Sequence, residues 1–416
     1  MPRVLLVAAT TGYQTRSFAE AAKRLGIEVT LATDRCHILE DPWRDRAVPI
    51  RFEEPEAAAA TLSTIAADGI VAVADRPTLV AALAAEKLGL PFHPPQAVAA
   101  CRDKHRMREV FAAAVLPVPQ NVRVPLDADP PDIGFPCVLK PLGLSASRGV
   151  IRADNPAEFT AAFARIRRIL EQPEILRFHD GVNSAIQIEG YIEGREFALE
   201  GLMTNGELEV LAIFDKPDPL EGPFFEETIY VTPSRQPSDV QQAIVETTKR
   251  AVRALGLSHG PIHAEMRVNA TGVYMLEVAA RPIGGLCARA LQFEGGLTLE
   301  ELVILHAVGK VPEGRRLSSA SLGVMMIPVP RAGIYESVSG IDHARDVPGV
   351  DDVIVTAKRG QKLVPLPEGA SYTGFIFASG LSPAAVEESL RLAHSCLDFE
   401  ILSALDIISG EAPDML

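Results

Sequence analysis

The stretch from Pro261 to Arg281 constrains this chain more than any other, because its alternation and its turn together set a strand register. From Pro261 to Val268, the residues Ile262, Ala264 and Met266 share one face, and His263, Glu265 and Arg267 share the other. A second strand from Val273 to Arg281 puts Val273, Met275, Glu277, Ala279 and Arg281 on one side, with Tyr274, Leu276, Val278 and Ala280 opposite. The connection Ala270-Thr271-Gly272 ends in a glycine suited to a left-handed turn position, and closing the hairpin on Asn269 and Val273 brings Glu265 opposite Glu277. Like charges facing each other about 4.5–5.5 Å apart at Cβ destabilise a sheet, so the pairing asks for a cation between them. A hard divalent ion with oxygen ligands fits. The plainer alternative is a solvated hairpin carrying two ordinary surface glutamates.

A chain of 416 residues is long enough for two or three domains, each with its own core. Its formal net charge of −14 argues against nucleic acid or an anionic membrane as the main partner, since both select clustered basic surface. Anionic ligands must therefore be held locally. Five cysteines (Cys36, Cys101, Cys137, Cys287 and Cys396) are scattered without C-x-x-C spacing, which disfavours a disulfide framework or a zinc site and fits a cytoplasmic location. The apolar run Val4 to Ala9 is too short for a signal-peptide core, and the Ala-rich stretch near 57–85 is broken by Asp68, Asp75 and Arg76.

The opening reads as a βαβ unit: a strand from Val4 to Ala9, the turn Thr10-Thr11-Gly12, a helix near Thr15 to Leu25 and a strand from Glu28 to Ala32. A buried strand at Gly69 to Ala74 and a helix near Pro77 to Leu88 complete a small doubly wound α/β domain over residues 1–95, closed by Pro91, Pro94 and Pro95. The first strand is followed by Gly12 alone rather than by G-x-G-x-x-G, which disfavours a nicotinamide cofactor. A helix starting at Asp103-Lys104, a strand from Cys137 to Lys140, and strands and helices continuing to the acidic hairpin make a second domain over 96–312. Beyond it, short strands separated by glycine and proline and a helix near Pro383 to Cys396 read as an α+β domain over 313–416.

Several clusters carry chemistry. The loop Gly143 to Gly149, with Ser145, Ser147 and Arg148, follows the strand bearing Lys140. Backbone N–H groups, hydroxyls and an ammonium group in this order suit triphosphate oxygens, although an ordinary hairpin loop is the alternative. No G-K-[ST] ending follows, so phosphate capture here would come from a mobile flap rather than a Walker loop. Lys104 by itself reads as a solvated helix-start lysine. Between Glu189 and Glu196 an acidic residue stands on either side of a glycine-containing turn, where a carboxylate suits ribose hydroxyls and backbone groups suit an adenine edge. Arg281 precedes Pro282-Ile283-Gly284-Gly285, and its fork matches carboxylate or phosphate beside an open backbone turn. Lys216, Glu226 and Glu227 lie in a polar loop suited to gripping a substrate amine, whereas His263 reads as a supporting residue rather than a base.

Taken in order, Lys104, Lys140 with its Ser145-Ala146-Ser147-Arg148-Gly149 loop, Glu189 to Glu196 and the Glu265/Glu277/Arg281 hairpin resemble the ATP-grasp superfamily. The resemblance implies an α/β, ATP-grasp architecture: an N-terminal Rossmann-like domain, a central ATP-grasp domain whose mobile lid covers about 118–190, and a C-terminal α+β domain. It implies ATP phosphate contacts at Lys104 and Lys140, adenine contacts at Glu189 and the Ile192 backbone, and a ribose contact at Glu196. Glu265 and Glu277 become ligands to Mg2+, or to Mn2+ in its place. Where the superfamily often has E-x-N-x-R, this chain has Glu277-Val278-Ala279-Ala280-Arg281 and lacks the asparagine. Within the superfamily the chain is similar to the L-amino acid ligases, in Asp215-Lys216-Pro217, Phe225-Glu226-Glu227, Arg281 to Gly285 and the glycine-rich C-terminal pattern. That likeness implies ATP-dependent joining of an amino acid carboxylate to an amine through an acyl phosphate, with Arg281 and Lys140 as catalytic cations. Glu226, Glu227, Arg281, Gly284 and Gly285 would then line the substrates. A biotin-carboxylase-like or purine-pathway ligase and a catalytically inactive nucleotide-binding protein are the competing expectations. Small-molecule substrates and a homodimer complete the expected partners.

Overall fold

The computed structural model describes residues 1–9, 14–34, 47–129, 133–176, 181–310, 317 and 321–403. The Thr10-Thr11-Gly12 turn and Cys36 lie outside them. The N-terminal sheet contains β1 (Arg3–Ala8), β2 (Glu28–Thr33), β3 (Val48–Pro49) and β4 (Gly69–Val73), all parallel, in the order β3-β2-β1-β4. β1 and β4 are buried along almost their whole length, as expected of a parallel sheet covered on both faces. Just past β4, Ala74 adopts φ +71° and delivers Asp75 as the first residue of the Asp75–Leu88 helix.

The next helix, Pro95–Arg102, begins where prolines were expected only to end a domain; Pro94 is its N-cap and Pro95 its first turn, where a missing N–H costs nothing. Asp103 then caps the Lys104–Ala113 helix, its carboxylate accepting from the backbone N–H of His105 and Arg106. That cap places Lys104 at the helix start.

A four-stranded antiparallel sheet follows: β5 (Asn121–Pro125), β6 (Cys137–Pro141), β7 (Ile151–Ala153) and β8 (Ala185–Gly190), in the order β5-β8-β6-β7. The Pro156–Leu170 helix covers one face, burying Phe159, Phe163, Ile166 and Ile169 against Leu139, Ile151 and Ile188. This unit spans the residues expected to form a lid.

Among the described residues the largest sheet has eight strands. It comprises β9 (Arg195–Thr204), β10 (Glu207–Asp215), β11 (Ile229–Thr232), β12 (Gly260–Asn269), β13 (Gly272–Ala279), β14 (Ser321–Ile327), β15 (Val350–Val355) and β16 (Gly374–Gly380). Their order is β13-β12-β9-β10-β11-β14-β16-β15, with every neighbouring pair antiparallel. The C-terminal segment thus extends the central sheet, joining it through β11 and β14. The Ser238–Leu255 helix packs Ile244, Ala251, Val252 and Leu255 against one face, which carries Phe197, Leu199, Ile262, Ala264, Met266, Met275 and Val278. Because strand residues alternate, Glu196, Glu200, His263, Glu265 and Arg267 project from the other face. No helix among the described residues is long and apolar enough to cross a membrane.

The acidic hairpin differs from expectation in one informative way. Its turn is a residue tighter, with Asn269 opposite Gly272, and Val273 and Met275 are buried on the helix side rather than sharing the face of Glu277. A register shift between the Glu265–Glu277 and Met266–Met275 pairs leaves Leu276 as an extra residue and restores Glu277 opposite Glu265. The bulge has a use: Arg108 donates to the Leu276 carbonyl at 2.8 Å.

Candidate active site

A cleft of about 320 Å³ opens among the N-terminal domain, the lid and the polar face of the large sheet. Lys104, Lys140, Ser145, Ser147, Glu189, Ile192, Glu196, Glu227, Glu265, Glu277, Arg281, Gly284 and Gly285 all line it. Of the residues expected from sequence to meet ligands, Gly149 and Glu226 are outside this lining. Gly149, at φ +74°, is held in a tight corner where an added Cβ would sit 2.6 Å from Pro141, and its N–H donates to the Pro367 carbonyl. It shapes the loop rather than facing the cleft. Glu226 is half-buried in the chain leading to β11.

At the floor, Lys216 follows directly on β10 and is buried among three carboxylates, with Nζ 2.9 Å from Glu196, 2.6 Å from Glu227 and 3.3 Å from Glu265. Burial opposes its charge, but these acids hold its pKa well above the ordinary value. Carboxylate oxygens of Glu196, Glu227 and Glu265 lie within 4.8 Å of one another, so one cationic position is built here and the ammonium group fills it. Burial, with Glu265 nearby, pushes the Glu227 carboxyl up to about 7. Glu265 goes the other way: despite burial, Lys216 and His263 hold it well below the usual carboxylate range. Tyr230 of β11 donates to Glu227 at 2.8 Å.

His263 is a supporting cation. Its Nδ1 is 3.1 Å from Glu200 and its Nε2 3.4 Å from Glu265, so both ring nitrogens face carboxylates. Burial alone would lower its pKa, but these two acceptors raise it to about 9. Glu200, fully buried, also accepts the backbone N–H of Ile283 and thereby fixes the turn after Arg281. Ala279 pairs with His263 across the hairpin, at the position where the superfamily pattern has asparagine.

The second metal candidate, Glu277, lies 3.7 Å from Lys104 Nζ, which also donates to the Leu144 carbonyl of the flexible loop at 3.1 Å. Glu265 and Glu277 therefore face each other on the cleft side of the sheet, each with a nearby lysine. Hard oxygen donors on facing strands suit a divalent ion.

Arg281 is anchored by a residue that the sequence reading passed over. Its Nε and Nη2 pair with the two oxygens of Asp75 at 2.9 and 3.2 Å, and Nη1 donates to the Pro282 carbonyl at 3.0 Å. Two of its five N–H groups remain for a ligand. Asp75 sits just past a parallel strand, at the edge where doubly wound sheets place ligand-binding residues, and that position was the available signal. Gln14 also reaches across, donating to the Ile283 carbonyl.

The lid side of the cleft is equally ionic. Glu189 is buried between Arg108, at 2.8 Å, and Lys140, at 2.5 Å; burial would raise its carboxyl, but the two cations hold it at about 2. Both oxygens of Glu196 are engaged, by Lys216 and by Arg267 Nε at 3.1 Å. Arg267 also donates to the Tyr191 hydroxyl and the Ile192 carbonyl, at 2.9 and 2.8 Å. Glu189, Ile192 and Glu196, the residues expected to meet adenine and ribose, thus all line the cleft, with both carboxylates already engaged by cations. Arg267 also lines the cleft, as its place on the face of Glu265 implies, whereas Tyr191, Tyr230, Met326 and Tyr372 are lining residues with no local sequence signature, since they come from separate elements.

Comparison with known proteins agrees with this arrangement. Residues 19–92 match the ATP-grasp N-terminal domain, 133–290 the ATP-grasp domain and 325–401 the L-amino acid ligase C-terminal domain 2. The Sinorhizobium fredii protein y4rH is 24% identical, over 99% of this chain and 86% of its own. Alanine–anticapsin ligase of Bacillus subtilis is 30% identical over 54% of this chain; the chain spans about half the length of that relative. The crystal structure of an L-amino acid ligase from Bacillus licheniformis superposes with a TM-score of 0.81 and 28% identity, covering 97% of this chain and 99% of the other. N5-carboxyaminoimidazole ribonucleotide synthetase from Thermotoga maritima shares the fold at a TM-score of 0.69 and 16% identity. With an ATP-grasp N-terminal domain, an ATP-grasp core and an L-amino acid ligase C-terminal domain in sequence, this chain belongs to the ATP-grasp superfamily, as a carbon–nitrogen bond-forming ligase similar to the L-amino acid ligases.

Proposed function

We propose that this chain joins the carboxylate of one amino acid to the amine of another, using ATP and forming an acyl phosphate on the way. The observation that carries the reading is the convergence of Glu265, Glu277, Lys104 and the Asp75-anchored Arg281 in one cleft. In this reading Lys104, Lys140, Ser145 and Ser147 hold the ATP phosphates under a loop shaped by Gly149, Glu189 and the Ile192 backbone flank adenine, and Glu196 meets ribose. Glu265 and Glu277 would hold Mg2+, or Mn2+, which when bound supplies positive charge against the phosphate oxygens.

A substrate carboxylate oxygen attacks the γ-phosphorus and ADP leaves, giving the acyl phosphate. Lys140 and Arg281 present fixed positive charge to the oxygens that gain negative charge. A neutral amine then attacks the acyl carbon, phosphate departs with the proton that the amine gives up, and the two unengaged N–H groups of Arg281 stabilise the intervening oxyanion. Gly284 and Gly285 allow the substrate close to the backbone, and Glu227 provides the acidic end that receives an amine. A closed lid keeps water from the acyl phosphate.

The test is an ADP-release assay with Mg2+ across pairs of amino acids, with mass spectrometry of the products. Turnover should require a particular pair, yield a product lighter than the two substrates by one water, and fall at least about a hundredfold in Glu277→Ala. ATP binding without turnover on any pair would support the inactive nucleotide-binding protein instead.

A further inference from the structure

The lid is fastened to the C-terminal domain. Arg165, on the outer side of the Pro156–Leu170 helix, makes a two-pronged contact with Glu368, Nε to Oε1 at 2.6 Å and Nη2 to Oε2 at 2.8 Å. The same guanidinium lies 5.0 Å over the ring of Phe224. The loop is held to the same C-terminal domain, Gly149 N–H donating to the Pro367 carbonyl at 2.8 Å, whereas Arg152 N–H donates to the Pro223 carbonyl of the second domain at 2.9 Å. Arg152 Nη1 reaches the Glu221 carbonyl at 2.7 Å, and Ile151 bridges to Phe224. The strap that receives the Arg165 and Gly149 contacts is itself tight, with Gly369 N–H returning to the Pro365 carbonyl at 2.9 Å. It then leads through Tyr372, a wall of the cleft, into β16.

We infer that Arg165 and Glu368 are positioning residues: their pair, with the Gly149–Pro367 hydrogen bond, clasps the lid to the C-terminal domain and so holds the loop at Ser145 to Gly149 across the nucleotide side of the cleft. A parallel two-bond fork defines orientation as well as distance, which a single surface ion pair does not. The clasp grips the lid at both ends of β7, the helix beyond it and the loop before it. It therefore restrains rotation of the lid about the strands that join it to the large sheet. The same strap carries Tyr372, so closure over the nucleotide and the shape of the substrate wall are set by one segment. The inference rests on the reading of the Gly143 to Gly149 loop as the phosphate loop.

The experiment compares the full-length chain with Arg165→Gln, Glu368→Gln and the double variant. Two readouts are taken: amide hydrogen exchange around Gly149 without ligand, and the release rate of a fluorescent ATP analogue in Mg2+. Each single variant should speed exchange at Gly149 and release the analogue about threefold to tenfold faster. The double variant should be no faster than the singles, because partners in one contact do not add. In turnover, KM for ATP should rise while kcat changes less. Unchanged exchange and release in the singles, or additive effects in the double, would overturn the clasp. If the unaltered chain binds no nucleotide, the functional reading fails on its own, and exchange at Gly149 still decides the clasp.

Discussion

At the scale of single residues, the cleft works by distributing charge so that no carboxylate is buried without a partner. His263 is the clearest case. It binds its proton more tightly in the folded chain, so its contribution to stability is complete below about pH 6.5 and is lost as pH rises through about 9. Urea unfolding should therefore show stability falling between these values by on the order of 2 kcal/mol more in the native chain than in His263→Gln, where that portion of the slope disappears. Equal slopes in the two proteins would mean that the ring is neutral when folded. Sequence alone gave the acidic residues, because alternation fixes a face. It did not give the ionic partners, because Lys216, which pairs with Glu265, and Asp75, which pairs with Arg281, reach the cleft through chain folding rather than through any spacing near the hairpin.

At the scale of elements, long periodic segments were legible and compensating irregularities were not. The helix expected to start at Asp103-Lys104 and the one expected near Pro383 to Cys396 are present as Lys104–Ala113 and Pro383–Ser395. The hairpin's facing glutamates were also legible, but for an incomplete reason: a tighter turn and the extra Leu276 cancel, so the pairing survives while Val273 and Met275 change sides. Strand patterns show parity, and a bulge resets parity without leaving a mark in composition. The lid loop gives a prediction of its own. Gly149→Ala forces a Cβ to within 2.6 Å of Pro141 in a left-handed backbone position, so the loop must move. Nucleotide affinity should fall about tenfold or more, measured by titration calorimetry, with thermal stability reduced by about 1–3 kcal/mol.

For the whole molecule, the joined sheet matters most. Reading the sequence as separate domains followed a real change of texture after Gly309, yet β11 and β14 are hydrogen-bonded neighbours. Their pairing was illegible because the partners lie far apart in the chain and each is a short apolar run. Ile229 and Val231 of β11 pack against Met325, Ile327 and Ile376 of the C-terminal strands. A chain ending at residue 312 should consequently fail to fold cooperatively, giving no sigmoidal thermal transition by circular dichroism and an aggregated profile in gel filtration. A sharp transition with normal nucleotide binding would show that the central domain is self-sufficient.

The ion pair between Asp75 and Arg281 spans 206 positions of sequence. Gene exchange among relatives that imports only the middle of such a chain would bring the guanidinium without its tether, leaving the cation free to swing. Inheritance of the first and second domains as a matched set follows from that one contact, even where the surfaces between them tolerate change.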